Sequence, residues 1–151
     1  MSGTRGIIIC ITAFFLLAGC KNKKRPSLSG DEPVEVSDFI EFFQPLKLSY
    51  QINDSLLSRK EKDSLLISYN NFTLFVPDSL LKKVFGKGVK PKIYAIGKCE
   101  VPKAEKYIFV KAVASEKKAI LLLAFDRKDH FIAGMTALSP DAKASTMQSV
   151  I

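Results

Sequence analysis

Histidine occurs once in this chain, as His130, and cysteine three times, as Cys10, Cys20 and Cys99. A single imidazole excludes a zinc site built on paired histidines. No serine is framed by glycines in the way a nucleophile elbow requires. Gly86 and Gly88 are followed by Val89, Lys90 and Pro91, so the third glycine of a dinucleotide-binding fingerprint is missing. Acidic residues are outnumbered by basic ones, 15 to 23. These residue types nominate no catalytic residue, no cofactor and no metal-ligand set. The densest polar group, Asp126, Asp129 and His130, reads as a solvated hairpin turn. Arg127 and Lys128 would oppose a cation there, and turns select Asp for its side-chain hydrogen bonds.

A membrane-spanning run is missing as well. The apolar stretch from Ile7 to Ala18 is twelve residues long, short of the roughly 17 to 25 that a helix needs to cross a hydrocarbon core. Lys21, Lys23, Lys24 and Arg25 follow it. With Arg5 in front and small residues behind, the stretch has the three-part form of a secretory signal. It ends in Leu17, Ala18, Gly19 and Cys20, and these four residues resemble the lipobox of bacterial lipoproteins.

The resemblance covers the first twenty residues and implies processing rather than activity. It implies diacylglyceryl transfer to the Cys20 sulfur, cleavage between Gly19 and Cys20, and, in two-membrane bacteria, acylation of the new amino terminus. A thiol suits thioether formation because it is strongly nucleophilic. One acyl chain binds a membrane only marginally, whereas two or three anchor stably, at about 0.8 kcal/mol per buried methylene. The basic run from Lys21 to Arg25 would lie at the headgroups, each cation adding about 1 kcal/mol at an anionic surface, or would serve as a solvated tether. The family's sorting pattern points to an outer-membrane position facing the periplasm. Asp is absent after the cysteine, and so is the acidic run that exports such proteins to the surface in Bacteroidota. In composition and in the run Lys92 to Leu138 the rest of the chain is similar to uncharacterised lipoproteins of Bacteroidota, which implies no activity.

Removal of residues 1–19 leaves 132 residues, enough for one domain with a real core, carrying a formal side-chain charge of +7. Residues 20–36, rich in Lys, Ser, Pro, Gly and acids, read as a flexible tether, and residues 37–151 as a single α+β domain. With Cys20 consumed by lipid, Cys99 has no partner for an intramolecular disulfide. Its apolar surroundings favour a buried structural thiol.

The domain is predicted to open with short helices. Ser37 or Asp38 can cap the first, which carries Phe39, Ile40, Phe42 and Phe43 and ends at Pro45. A core-facing use of these aromatics is favoured over a binding patch. The tetrad Asp-Ser-Leu-Leu begins at Asp54, Asp63 and Asp78, but its separations of nine and fifteen residues set no structural period. Each copy reads as a helix start, with Asp or Ser accepting from free amides and the leucines buried. The best case runs from Pro77 to Phe85, with Gly86 or Gly88 beyond its end. Lys82, Lys83, Lys87, Lys90, Lys92 and Lys98 make that neighbourhood basic.

After Pro91 come four apolar runs, Ile93 to Cys99, Tyr107 to Ala114, Ala119 to Phe125 and Phe131 to Leu138. Their short connections predict an antiparallel four-stranded meander. The third and fourth are apolar at nearly every position and are expected in the middle of the sheet. Ser139 and Pro140 can open a short helix. Ser149, Val150 and Ile151 look like the start of a further strand, consistent with a naturally short end or with truncation.

Two functions of different class follow. One is a non-enzymatic envelope lipoprotein whose domain binds an envelope protein or an anionic glycan; a periplasmic address disfavours nucleic acid. The other is a small-ligand-binding or hydrolytic module with a pocket between helices and sheet.

Overall fold

The computed structural model describes residues 27–47, 49–102 and 104–140, together with the backbone of residues 149–150. Its architecture is α+β. Helix α1 (Val36–Phe42) is followed by the two-residue strand β1 (Gln51–Ile52), helix α2 (Asp54–Ser58), a 3-10 turn at Asp63–Leu65 and the short strand β2 (Leu66–Ile67). Helices α3 (Tyr69–Phe75) and α4 (Asp78–Phe85) lead into four long strands, β3 (Lys92–Glu100), β4 (Lys106–Ala114), β5 (Lys117–Phe125) and β6 (Phe131–Leu138). A last strand, β7 (Ser149–Val150), pairs antiparallel with β1. The signal segment and Cys20 lie outside the described residues, as does the helix expected after Pro140.

The meander is present, but the sheet has five strands rather than four, in the order β2-β3-β4-β5-β6, all antiparallel. Strand β2 adds two rungs, Leu66 opposite Tyr94 and Ile67 opposite Ile93. A second correction concerns the centre of the sheet. β4 and β5 are interior strands, whereas β6 is an edge on which Ile132 and Met135 are 51% and 59% exposed. Apolar character alone did not distinguish the two positions, since an edge strand and a buried strand can both be uncharged.

The two faces of the sheet carry separate cores. Ile93, Ala95, Ile108, Val110, Leu121, Leu123 and Phe125 face α1, α3 and α4. Phe39 lies at the middle of this layer, with its ring centroid 5.3 Å from Phe43, 5.0 Å from Phe75 and 6.1 Å from Phe125. Aromatic pairs at these separations are worth about 0.5–1.5 kcal/mol each beyond the area they bury. The aromatics of α1 are therefore core, as expected. On the other face Ile52, Leu56 and Leu57 pack against Phe109 and Ile120.

Leu28 is fully buried in the first core although it precedes α1. Its carbonyl accepts from the Ser68 amide at 2.7 Å, and the Asn71 side-chain amide donates to the Gly30 carbonyl at 2.7 Å. The chain is thus built into the domain eight residues before the first helix.

Local rules were followed with some differences. Helix α1 starts at Val36, with Glu35 as its boundary residue and no side-chain cap, and Asp38 lies in its first turn instead of capping it. The helix stops before Pro45 because the next residues hydrogen-bond to the outer edge of β3. There the Lys98 amide donates to the Gln44 carbonyl and the Leu46 amide to the Lys98 carbonyl, both at 2.8 Å. Gly97 permits this approach: a Cβ there would lie 2.4 Å from the Leu46 side chain and 2.9 Å from the Gln44 carbonyl oxygen. All three tetrads do begin helical turns, at Asp54, Asp63 and Asp78. Each Asp is the first helical residue rather than a cap, and no side-chain cap forms in any of them; Pro77 precedes α4 as its boundary residue. The carboxylates complement the free amides by charge alone. Gly86, at φ +93°, ends α4 as predicted.

Candidate functional site

Lys111 is the one buried charged residue among the described residues, 2% exposed in the middle of β4. Its place follows from the register: Tyr94 is opposite it on β3 and Ile120 on β5, so its stem crosses the second core. At the end of that stem the ammonium donates to the carbonyls of Leu56 and Arg59 and lies 3.4 Å from Glu61 Oε1. Those carbonyls belong to the last turn of α2, where acceptors lack intrahelical partners. Glu61 is itself 4% exposed at the side chain and is held by Arg59 through two hydrogen bonds, 3.2 and 3.1 Å long. Burial pushes the Lys111 pKa below its ordinary value, and Glu61 partly offsets this. The Glu61 hydrogen bond raises that of Arg59.

Every donor of Lys111 is directed at a carbonyl or a carboxylate. The arrangement pins α2 to the sheet and leaves no free amine to attack a carbonyl substrate. Above it opens a cleft of about 450 Å³ whose lining includes Arg59, Lys60, Lys92, Lys111 and Lys118. Glu61 and Asp63 are its carboxylates.

A second cleft of similar size is lined by Tyr69, Asp78, Lys82, Lys87 and Lys90. The Tyr69 hydroxyl and the Lys82 ammonium both donate to Asp78. Its hydrogen bond to Asp78 pushes the Tyr69 pKa up to about 12, and the Lys82 hydrogen bond draws that of Asp78 down. Lys90 Nζ lies 5.3 Å from the Tyr69 ring centroid. The basic neighbourhood read from the sequence is therefore divided. Lys82, Lys87 and Lys90 line this cleft and Lys92 lines the other. Lys98 lies at the opposite end of β3, 2.7 Å from Glu100.

Asp126, Asp129 and His130 do form the turn between β5 and β6. Asp126 Oδ1 accepts from the amides of Lys128 and His130 at 2.8 and 2.9 Å, and Oδ2 lies 3.1 Å from His130 Nδ1. The His130 amide bond is the main reason the Asp126 pKa falls. Asp129 adopts φ +65° and receives the Lys106 ammonium. Among the described residues no group of three or more His, Cys, Asp or Glu is placed to hold a metal ion. Cys99 is half-buried beside the second core, and burial raises its thiol pKa.

On the face covered by α1, α3 and α4 the space against the sheet is filled by Phe39, Phe43, Phe72 and Phe125, whereas the cleft above Lys111 opens between the end of α2 and the other face. Sequence reasoning missed Lys111 and Glu61. The available signal was a lone charge between Val110 and Ala112 in a strand otherwise apolar from Ile108 to Ala114. Among the described residues no helix is long and apolar enough to cross a membrane. No protein family, curated protein or solved structure matches the chain.

Proposed function

We propose that this protein is a lipid-anchored component of a bacterial cell envelope, held through diacylglycerol on Cys20, with an α+β domain that is a non-enzymatic binding or structural module facing the periplasm from the outer membrane. The observation that carries the reading is the run Leu17, Ala18, Gly19, Cys20 at the end of a twelve-residue apolar stretch. Two structural observations support the non-enzymatic part. The donors of buried Lys111 are committed to α2 and Glu61, and Asp126 is committed to its turn. The partners that fit this address are the membrane itself, an envelope protein or an anionic glycan.

Metabolic labelling with a fatty-acid analogue tests the anchor. Wild-type protein should carry label in the membrane fraction, and Cys20→Ser should carry none and keep its signal segment. Unlabelled wild-type protein would overturn the reading.

A further inference from the structure

We propose that the end of the sheet bearing Lys87, Lys90, Lys92 and Lys118 is the surface that this protein lays against its own membrane, with the headgroup phosphates of anionic lipids as the ligand; the inference rests on the Cys20 anchor.

The chain path supplies the first argument. Ser68, whose amide bonds Leu28, follows directly after β2, and Ile67 of β2 pairs with Ile93. Leu28 therefore enters at the end of the sheet where β3 begins with Lys92. On the same rung, two strands across, stands Lys118, since Lys92 pairs with Val113 and Val113 with Lys118. Tyr69, the residue after Ser68, has Lys90 over its ring. Three of the four cations are thus tied by pairing or contact to the point where the chain from Cys20 joins the domain.

Reach supplies the second. The eight residue steps from Cys20 to Leu28 span at most about 28 Å when fully extended. A domain of this size has a radius of gyration of about 14 Å and a diameter of about 35 Å. Turning the far end of the sheet toward the bilayer would lift Leu28 by about a full diameter, which the leash cannot follow.

Charge supplies the third. Lys87, Lys90, Lys92 and Lys118 hold no ion pair among the described residues, and the first three are exposed. Nearby Asp78 is taken by Tyr69 and Lys82, Glu61 by Arg59 and Lys111, and Asp31 accepts from the Asn70 side chain; Asp63, which shares a cleft with Lys92 and Lys118, and Glu116 are further acids nearby. At the far end Lys98 pairs with Glu100, Lys106 with Asp129 and His130 with Asp126, so that the cations with no ion pair among the described residues there are Arg127 and Lys128, beside the carboxylates of Asp126 and Asp129. Val89, 38% exposed between Gly88 and Lys90, adds an apolar side chain at the near end that suits the boundary between headgroups and acyl chains. Cations on this surface would neutralise lipid phosphates within a Debye length, a contact that salt weakens.

The test uses the full acylated protein in vesicles of zwitterionic phospholipid, with and without about 30% anionic phospholipid. Each lysine is followed by mass spectrometry after brief exposure to an amine-reactive reagent. Modification of Lys87, Lys90, Lys92 and Lys118 should slow by about fivefold on the anionic vesicles, while Lys106 and Lys128 are unchanged, and about 0.5 M salt should abolish the difference. Equal modification of both ends on anionic vesicles would overturn the proposal. Equal protection on both vesicle types would overturn the role of the headgroup charge, and protection by inorganic phosphate on zwitterionic vesicles would make the site one for free anions. Failure of the protein to enter either vesicle would overturn the anchor itself, a separate outcome.

Discussion

The ammonium of Lys111 lies 3.4 Å from Glu61 Oε1, across 50 residues of chain, and both side chains are almost fully buried. This pair joins the central strand to the end of α2, so the packing of the second core depends on it.

Lys111→Met keeps the stem and removes the charge. The carbonyls of Leu56 and Arg59 then lose a donor, at about 1–3 kcal/mol for each group left buried and unpaired, while Glu61 retains Arg59. We expect a net loss of about 2–3 kcal/mol, read as a lower urea midpoint at unchanged slope. A variant as stable as wild type would show that the pin contributes nothing.

The pKa of Lys111 also sets a direction with pH. Its folded value is depressed below the ordinary 10.5, so the unfolded chain binds the proton more tightly. The cost of burying the charge is full below the folded pKa and is relieved as pH rises toward 10.5. Wild type should gain stability relative to Lys111→Met over that interval when the two are melted side by side.

Tyr69 gives the opposite sign. Its folded pKa, about 12, is above the ordinary 10.0, so its contribution is complete below pH 10 and disappears as pH rises toward 12. Tyr69→Phe should therefore lose less stability than wild type across this window. It should also remove one late-ionising phenol from the ultraviolet titration. If the variant retains that late transition, Tyr69 is not the group responsible.

Gly97→Ala places a methyl group 2.4 Å from the Leu46 side chain and 2.9 Å from the Gln44 carbonyl. Overpacking of this kind costs about 1–3 kcal/mol. Amide exchange should accelerate at Leu46 and Lys98, whose hydrogen bonds join the segment to β3. Gly30→Ala, with open space around its Cβ, is the control.

Leu28→Ala should destabilise by about 2–4 kcal/mol, as for other buried leucines. Leu74→Ala, at a position 57% exposed, should stay within about 0.5 kcal/mol of wild type. Matching denaturation curves for wild type and Leu28→Ala would remove residue 28 from the core.

The long strands were legible because each is a run of apolar and β-branched residues bounded by turn residues, and pairing follows from short connections. Strands β1 and β2, two residues each, were not legible, since their existence depends on partners distant in sequence. Helix α3 was missed for a local reason. Asn70, Asn71 and Thr73 are poor helix formers, and the helix is held by the Ser68 cap and by buried Phe72. Lys111 reads as an interruption until Leu56, Arg59 and Glu61 are folded against it. Leu28 lay in a segment whose composition resembles a tether, and one leucine gives no period to detect.

The five-stranded sheet treats its two borders unequally. Strand β3 is occupied along its outer side by β2 at one end and by Gln44 to Leu46 at the other. Strand β6, without a charge or a proline from Phe131 to Leu138, has a ladder partner only on its inner side among the described residues. An uncharged ladder side of eight residues is the longest pairing surface among the described residues, and a charge placed on it, such as Thr136→Lys, would guard it against pairing with another chain.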